Sequence, residues 1–461
     1  MLYGTGTVAF GVKDQGFNAL LMLFYNQVIG LPAAWVGAAI MIAMVADALF
    51  DPLLGQWSDD TRSRWGRRLP FMYASAVPIA LSYLLLWQPP EASQGVQFAY
   101  LLGVAIIVRF SISFYEIPST ALLAEFTNDY DERTRLVAGR FLFGVLGGVA
   151  MMVLTFQYLL RPTATQPVGQ LNAAGYTTYA WIAALVMLVS ILISTIGTHK
   201  AALAVPPPPP VNRVGIGVML RQMREVFTHR AYSSILLASL FIAMASGLNT
   251  ALAVYLATYF WGFTAAQIAT LTSASFGGIV LAFVVVLPMS RRMGKKHTAM
   301  LLFGVSMLVA VAPLLLRLSG HFPLNGEPAL LQVLMVTQAF NTMCVIAALI
   351  LAVSMVADVT DQIQLETGRR SEGLMFSAAT LVSKAVSGLG IFLSGALLAV
   401  VGFPEHAQPG QVSNDVLNAL ALTYALTIAV VTLLAVTCLG YYPITRNDHE
   451  ENIRKLGEQA G

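Results

Sequence analysis

The stretch ADALFDPLLGQWSDDTRSRWGRRLPF, from Ala46 to Phe71, joins an apolar segment to a short loop that contains four arginines. The apolar segment begins upstream, near residue 34, and reaches the roughly 20 residues that a helix needs to cross a bilayer. Loops rich in lysine and arginine remain on the cytoplasmic side of a membrane. The stretch therefore predicts a transmembrane helix that ends at the cytoplasmic surface.

The same alternation of apolar segments and polar loops fills the rest of the chain. Of the 461 residues, 57% are hydrophobic and 11% are charged, whereas a soluble domain carries about 25% charged residues. The alternative, a soluble helical protein, would lack the polar groups to cover its surface. An all-α membrane protein with twelve spanning segments is predicted, near residues 6–30, 34–58, 70–88, 97–124, 138–161, 177–198, 232–260, 265–290, 298–318, 328–357, 373–402 and 415–442.

The basic residues predict the orientation of these segments. Twenty of the 26 lysines and arginines lie in the even-numbered connections or in the C-terminal tail. The odd-numbered connections contain only Arg161 and Arg317. Because basic loops stay in the cytoplasm, both termini are expected to be cytoplasmic.

The longest connection, residues 199–231, divides the chain into two six-helix halves at 1–198 and 232–445, with a tail at 446–461. It begins with the stiff proline tract AVPPPPPV. The next segment, GVMLRQMREVFTH, fits a short amphipathic helix on the membrane surface or, equally, an unstructured loop. The basic loops RWGRR and RMGKK follow helices 2 and 8. Two halves with matching loops indicate the major facilitator architecture.

Several classes of protein lack support in the sequence. A net charge of +3 gives no reason to expect nucleic acid as a partner. No phosphate-binding G-x-x-x-x-G-K-[ST] motif of an ATP-driven pump is present, and no H-E-x-x-H or G-x-S-x-G motif of an enzyme. Cys344 and Cys438 lie in apolar runs and predict neither a disulfide nor a metal site. No enzymatic activity, no cofactor and no dimer are expected.

Ionisable residues within membrane segments are costly and mark functional sites. Asp47 and Asp51 are four residues apart, on one face of helix 2. Two close carboxylates are costly to keep ionised together, so a cation or a proton is expected between them. Pro52 frees the carbonyl of Ala48 as a further oxygen ligand. A coupling-ion site is predicted, and a structural kink whose acids pair with basic side chains is the alternative.

Helices 4 and 11 carry further polar groups. Arg109, Ser113 and Glu116 share one face of helix 4. Arg109 is either an internal counter-ion for a carboxylate or a contact to an anionic substrate. Lys384, four residues after Thr380, lies near mid-bilayer in helix 11. It is expected to pair with acids of the other half when the ion is absent, and snorkelling to the interface is the alternative.

Four blocks resemble the glycoside–pentoside–hexuronide:cation symporters, a family of the major facilitator superfamily. They are the opening stretch, VAFGVKDQGF (8–17), EFTNDYDERTRLVAGRF (125–141) and ADVTDQIQLETGRRSEGLMFS (357–377). The resemblance implies symport of a sugar- or glycoside-like solute with Na⁺ or H⁺ by alternating access. It also implies a multi-pass, monomeric protein of the bacterial inner membrane.

Most of the candidate site residues take their roles from this resemblance. Arg109 and the residues of the loop after helix 2 are instead added from their own position and charge. The cation-binding candidates are Asp47, Asp51, Glu116, Ser113 and Thr380, with Na⁺ possible at Asp47 and Asp51. The substrate-binding candidates are Lys13, Asp14, Arg109, Glu116, Thr120, Arg140 and Lys384. The cytoplasmic gate candidates are Asp59, Arg64, Arg67, Arg133, Asp358, Asp361, Arg369 and Glu372.

Three positions depart from the family's pattern. Phe50 stands where sodium-coupled members tend to have a polar residue, so H⁺ becomes a rival of Na⁺. Thr120 stands where an aromatic ring would stack on the sugar, and Arg109 has no recognised counterpart. The cargo is therefore a glycoside, an acidic sugar or a larger amphiphile. Because animal lysolipid transporters also resemble this family, a lysolipid-like cargo is the alternative, followed by a non-transporting sensor.

Overall fold

The computed structural model describes residues 2–126, 130–204, 229–367 and 372–444, together with residues 448, 451 and 454. Most of these described residues are helical, and none of them lies in a strand. Ten of the described helices are long and apolar enough to cross a membrane. One of the ten, Ala265–Leu318, contains 54 residues and is interrupted at Gly294, where φ is 75°. It therefore comprises two crossings, α8 (265–293) and α9 (295–318).

The first crossing, α1, is a succession of helical pieces. These pieces are Leu2–Thr5, Thr7–Gln15, Gly16–Leu20, Leu21–Leu23 and Phe24–Ile29, and the third and fifth are π-helical. With α1 and the two crossings joined at Gly294, the described part of the chain contains twelve membrane helices, as predicted. The others are α2 (Ala33–Asp60), α3 (Leu69–Leu86), α4 (Gln94–Phe126), α5 (Tyr130–Leu154), α6 (Ala173–Ala204), α7 (Arg230–Tyr255), α10 (Pro328–Thr367), α11 (Glu372–Val400) and α12 (Asn414–Gly440). Short π-helices, Thr155–Leu159 and Leu256–Phe260, extend α5 and α7.

Helix packing in the N-terminal half places the helices that carry the predicted site residues side by side. The helix α2 packs on α4, and α1 packs on α5 and α6. At the second contact a Cβ on Gly11 would lie 1.9 Å from the carbonyl oxygen of Gly144. Small residues allow membrane helices to approach this closely. The polar faces of α1, α2, α4 and α5 are thereby held at fixed positions.

Both matching basic loops contain a glycine with a positive φ angle. Gly66 of RWGRR has φ of 79°, and Gly294 of RMGKK has φ of 75°. Only glycine adopts this left-handed region without a steric penalty. In both loops two basic residues come directly after this glycine.

By its internal contacts the chain divides into two compact units. The first contains Met1–Pro209, Gly247–Ser273 and Ile391–Leu420. Within it, the Gln27 amide oxygen accepts hydrogen bonds from the Tyr259 hydroxyl (3.2 Å) and the Ala407 N–H (2.8 Å). The neighbouring Asn26 accepts one from Tyr255 (2.8 Å). This polar network ties the end of α1 to the end of α7 and to the loop before α12.

The second unit contains Pro210–Ser246, Ala274–Gly390 and Ala421–Gly461. Its apolar core is formed by side chains of α7, α8, α9, α10 and α12, including Tyr232, Phe303 and Met355. The division into halves at 1–198 and 232–445 remains a prediction. Of the linker, residues 205–228 lie outside the described part of the chain, and so does most of the tail from 446 onward.

Two predicted helix ends were wrong. Helix α10 continues to Thr367, ten residues beyond the expected end, so Asp358 and Asp361 lie inside it. Helix α5 begins at Tyr130, eight residues earlier than expected. Both errors have one cause. Hydropathy detects the part of a helix that is buried in lipid, whereas these helices extend beyond it with charged residues.

Candidate functional site

The predicted acid pair meets a hydroxyl group of the neighbouring helix. Asp47 and Asp51 lie on α2, and Ser113 lies on α4. The Ser113 Oγ is 2.8 Å from Asp47 Oδ1 and 2.8 Å from Asp51 Oδ1. Ser113 and Asp47 are buried, and Asp51 is partly buried. One hydroxyl therefore bridges the two carboxylates.

The hydrogen count of this bridge has a chemical consequence. A serine hydroxyl has one hydrogen and donates it to one acceptor at a time. The second oxygen–oxygen contact becomes favourable when a carboxyl group gains a proton or when a cation screens the two oxygens. The arrangement is suited to accept one additional positive charge.

Arg109 of α4 pairs with the first of these acids. Its Nε lies 3.1 Å from Asp47 Oδ2, and both side chains are 2% exposed. The guanidinium carbon also lies 5.1 Å from the centroid of the Phe17 ring. Its Nη1 is buried and has no hydrogen-bond partner among the described residues. The structure therefore places Arg109 beside a carboxylate, the arrangement of an internal counter-ion.

Lys13 brings α1 into the same group of charges. It is 1% exposed, and its Nζ lies 3.4 Å from Asp14 Oδ1 and 4.5 Å from the Phe10 ring centroid. It interacts electrostatically with Arg109, Asp14, Glu116 and Asp47. The predicted residues Asp14, Asp47, Arg109 and Glu116 therefore lie close enough to Lys13 to act on its charge.

Arg140 of α5 lies within a separate set of hydrogen bonds. It donates to the hydroxyls of Tyr3 (2.8 Å), Ser119 (2.5 Å) and Thr120 (2.9 Å). Thr120 in turn donates to the backbone carbonyl of Glu116 (2.7 Å). The predicted substrate residues Arg140 and Thr120 are thus in contact. Tyr3 and Ser119 were missed by the sequence analysis, which singled out charged residues.

Phe50 faces an aromatic group. Its ring stacks on Phe110 with centroids 4.1 Å apart and contacts Phe114 at 6.1 Å. The residue before Asp51 therefore packs between α2 and α4. It supplies no oxygen ligand to an ion.

The predicted cytoplasmic gate of the N-terminal half contains a dense set of ion pairs. Arg67 Nη2 lies 2.7 Å from Glu125 Oε1, and Arg68 Nη2 lies 3.2 Å from the same oxygen. Arg68 also pairs with Asp59 and donates to the Ser58 hydroxyl (2.6 Å). Arg67, Arg68 and Glu125 line a cavity of about 200 Å³. Arg68 and Glu125 were missing from the predicted gate, although both belong to the quoted blocks.

The other gate candidates are placed as follows. Arg64 stacks on Trp65, 5.3 Å from its ring centroid. Lys295 Nζ lies 2.7 Å from Asp358 Oδ1, within the second unit. Asp361, Thr380 and Lys384 also lie in the second unit, on α10 and α11. Arg369 and the side chains of Arg133 and Glu372 lie outside the described part of the chain.

Twelve helices with a buried cluster of charges define a membrane transporter of the major facilitator type. A solved D-xylose–proton symporter has the same fold, with a TM-score of 0.66 over 96% of this chain and 97% of that chain, at 13% identity. The family model described as MFS/sugar transport protein matches residues 2–446, and the chain belongs to that family. The predicted family is confirmed.

Two relatives match over almost their full length. An uncharacterized symporter of Synechocystis sp. is 28% identical over 99% of this chain and 97% of its own. An isoprimeverose transporter of Lactiplantibacillus pentosus is 26% identical over 96% of this chain and 88% of its own. The chain is a multi-pass membrane transporter and not an enzyme.

Proposed function

We propose that the protein is a secondary active transporter that carries a sugar- or glycoside-like solute together with Na⁺ or H⁺ by alternating access. The observation that carries this proposal is the Ser113 hydroxyl that bridges Asp47 and Asp51. A carboxylate pair sharing one hydrogen inside a membrane helix bundle is suited to a monovalent coupling ion.

The proposed ion site lies beside the proposed solute site. Glu116 lies on the same helix as Ser113, and its backbone carbonyl binds Thr120, which in turn binds Arg140. When the coupling ion neutralises the acids, the electrostatic field changes at the groups that hold the solute. Ion and solute then raise each other's affinity by the same factor, because coupling between two bound ligands is reciprocal.

The charges around Arg109 favour an uncharged solute. Arg109 is directed at Asp47, so an acidic sugar would have to compete with a buried carboxylate for it. Arg140 donates to three hydroxyl groups, and the hydroxyls of a sugar would replace these contacts without a change in charge. We therefore propose a neutral glycoside rather than a uronide or a lysolipid.

The location of the protein is part of the proposal. We place it in the bacterial inner membrane as a monomer with both termini in the cytoplasm. The basic loops around Gly66 and Gly294 support this orientation, since they belong to the even-numbered connections.

Purified protein in liposomes tests the proposal. Uptake of radiolabelled neutral glycosides, uronides and lysophosphatidylcholine is measured with an imposed Na⁺ gradient, an imposed pH gradient or neither. We expect accumulation of a neutral glycoside with one of the gradients. Accumulation that is independent of both gradients would contradict symport. Accumulation of lysophosphatidylcholine alone would favour the lysolipid alternative.

A further inference from the structure

The cavity of about 200 Å³ in the first unit lies where the loop after α2 meets the ends of α4 and α6. Its wall includes three arginines, Arg62, Arg67 and Arg68, and one acid, Glu125. The rest of the wall is formed by Ser63, Trp65, Gly66, Leu69, Leu122 and Ala202. A small cavity with three guanidinium groups on its wall is suited to an anion.

The acid of this wall is shared between two arginines. The Glu125 Oε1 atom accepts hydrogen bonds from Arg67 Nη2 (2.7 Å) and from Nε and Nη2 of Arg68 (3.3 and 3.2 Å). Asp59, which also pairs with Arg68, does not line the cavity. Two guanidinium groups that meet at one carboxylate oxygen repel each other, and a further anion beside them would offset that repulsion.

Arg62 adds a positive charge that no carboxylate balances in the described part of the chain. Its side chain is exposed, and Nη1 donates to the backbone carbonyl oxygen of Asp59 (3.3 Å). A guanidinium group presents five N–H donors and binds phosphate oxygens through two of them at once. Arg62 therefore retains donors for a ligand in the cavity.

Aromatic residues place the cavity at the level of the lipid headgroups. Trp65 lines the cavity and is 41% exposed, and its ring centroid lies 5.6 Å from that of Tyr73 on α3. Tryptophan and tyrosine are enriched where the headgroups meet the hydrocarbon region. The cavity is also smaller than the roughly 300–1,000 Å³ of sites that enclose a whole small molecule. It therefore fits one charged group of a larger ligand.

We propose that this cavity binds the phosphate group of an anionic phospholipid and thereby joins the loop after α2 to α4 and α6. Basic pockets between membrane helices at the cytoplasmic surface bind anionic headgroups, and the proposed orientation places this cavity at that surface. Free phosphate has the same charge, but it would make no use of the aromatic and apolar part of the wall. Lipid binding is independent of solute and coupling ion, so the inference does not depend on symport.

Native mass spectrometry of the purified protein in detergent tests the proposal. The protein is titrated with phosphatidylglycerol, which is anionic, or with phosphatidylcholine, which has no net charge. We expect one phosphatidylglycerol to be retained at concentrations where phosphatidylcholine is not. An excess of inorganic phosphate is expected not to displace it.

A pair of variants separates the cavity from the general surface charge. Arg62→Gln is expected to raise the apparent Kd for phosphatidylglycerol by about fivefold, which is the contribution of one arginine near an anionic headgroup. Arg292→Gln is the matched control, because it removes the same charge from the exposed basic loop of the second half. It is expected to leave this Kd unchanged.

Several results would overturn the proposal. Equal retention of the two lipids would remove the preference for an anionic headgroup, and displacement by inorganic phosphate would assign the cavity to a soluble anion. An unchanged Kd in Arg62→Gln, or an equal increase in Arg292→Gln, would show that the cavity is not the site of binding. The comparison of lipids uses the wild-type protein alone, and thermal unfolding checks that both variants are folded.

Discussion

The α2–α4 helix pair of the first half and the α8–α10 helix pair of the second half have the same arrangement of helices and basic loop. They differ in the charges that are buried between the helices. Each pair ends at a glycine-centred basic loop whose cation binds an acid of the later helix, Arg67 with Glu125 and Lys295 with Asp358. Counting back 19 residues from Gly66 reaches Asp47, and counting back 19 from Gly294 reaches Ser275.

The later helices correspond in the same way. Sixteen residues before Glu125 stands Arg109, and sixteen before Asp358 stands Thr342. Where the first half has the buried Asp47–Arg109 pair, the second half has the Ser275 and Thr342 hydroxyls, 3.5 Å apart. Both halves retain the basic loop and the helix pair. The intramembrane charges are therefore not needed for the helix contact itself, which supports the proposal that they serve transport.

The largest effect is expected at Asp51, whose counterpart in the second half is uncharged. Asp51→Asn is expected to abolish gradient-driven accumulation, so that the ratio of internal to external solute falls to about one, because one of the two carboxylates proposed to bind the coupling ion is lost. Exchange of internal for external solute is expected to persist. Both are measured in liposomes with radiolabelled solute. The corresponding position of the second half, Ile279, supplies the control Ile279→Asn, and an equal loss of accumulation there would contradict the comparison.

The next effect concerns stability at the corresponding contacts. Asp47→Ala leaves the Arg109 charge buried and unpaired and is expected to cost about 3–5 kcal/mol of unfolding free energy. Ser275→Ala removes the hydroxyl that accepts neutral hydrogen bonds from Gln338 (3.1 Å) and Thr342 (3.5 Å) and is expected to cost about 1–2 kcal/mol. Denaturant unfolding of the purified proteins in detergent provides both values. Equal losses would show that the first half does not depend on its ion pair.

The bridging hydroxyl gives an intermediate effect. Ser113→Ala is expected to weaken the apparent affinity for the coupling cation by about tenfold, since hydrogen bonds to charged groups contribute about 1.5–3 kcal/mol. Ser113→Thr retains the hydroxyl and is the matched variant. The measurement is the cation concentration that gives half-maximal uptake. A loss in Ser113→Thr as large as in Ser113→Ala would assign the effect to packing instead.

The smallest effect concerns the glycines of the two basic loops. Gly66→Ala places a side chain at a φ of 79° and is expected to cost about 1 kcal/mol. Gly294 has φ of 75° and ψ of 160°, a region essentially confined to glycine, so Gly294→Ala is expected to cost more, about 1–3 kcal/mol. A Cβ at either position meets no atom within 4 Å, so each cost is one of backbone conformation alone. Thermal unfolding curves of the two variants test this order, and an equal loss would contradict it.

Much of the fold follows from the sequence, because spanning length and loop charge act through local composition. The proximity of Asp47 and Asp51 also follows, since their four-residue spacing fixes it within one helix. The sequence did not decide whether Arg109 pairs with an acidic side chain or with a substrate. That choice depends on how α4 is rotated against α2, which no pattern within either helix determines.

The site contained two further surprises with physical causes. Tyr3 and Ser119 bind Arg140 through uncharged hydroxyls, and neutral residues within apolar segments carry no sequence signal that separates them from packing. The predicted gate included Arg67 but not Arg68. Both arginines bind the carboxylate of Glu125, because they follow the turn at Gly66 one after the other.

The π-helical pieces of α1 have a consequence for how sequences of this family align. A π-turn accommodates one residue more than the α-helical turn it replaces. The piece Gly16–Leu20 lies between Lys13 and Asp14 on one side and Asn26 and Gln27 on the other. A relative that lacks one residue in this interval retains both flanking surfaces in the same orientation. A one-residue gap in an alignment at this interval therefore marks a relative whose π-helical turn is replaced by a regular α-helical turn. The residues on either side of the gap remain equivalent.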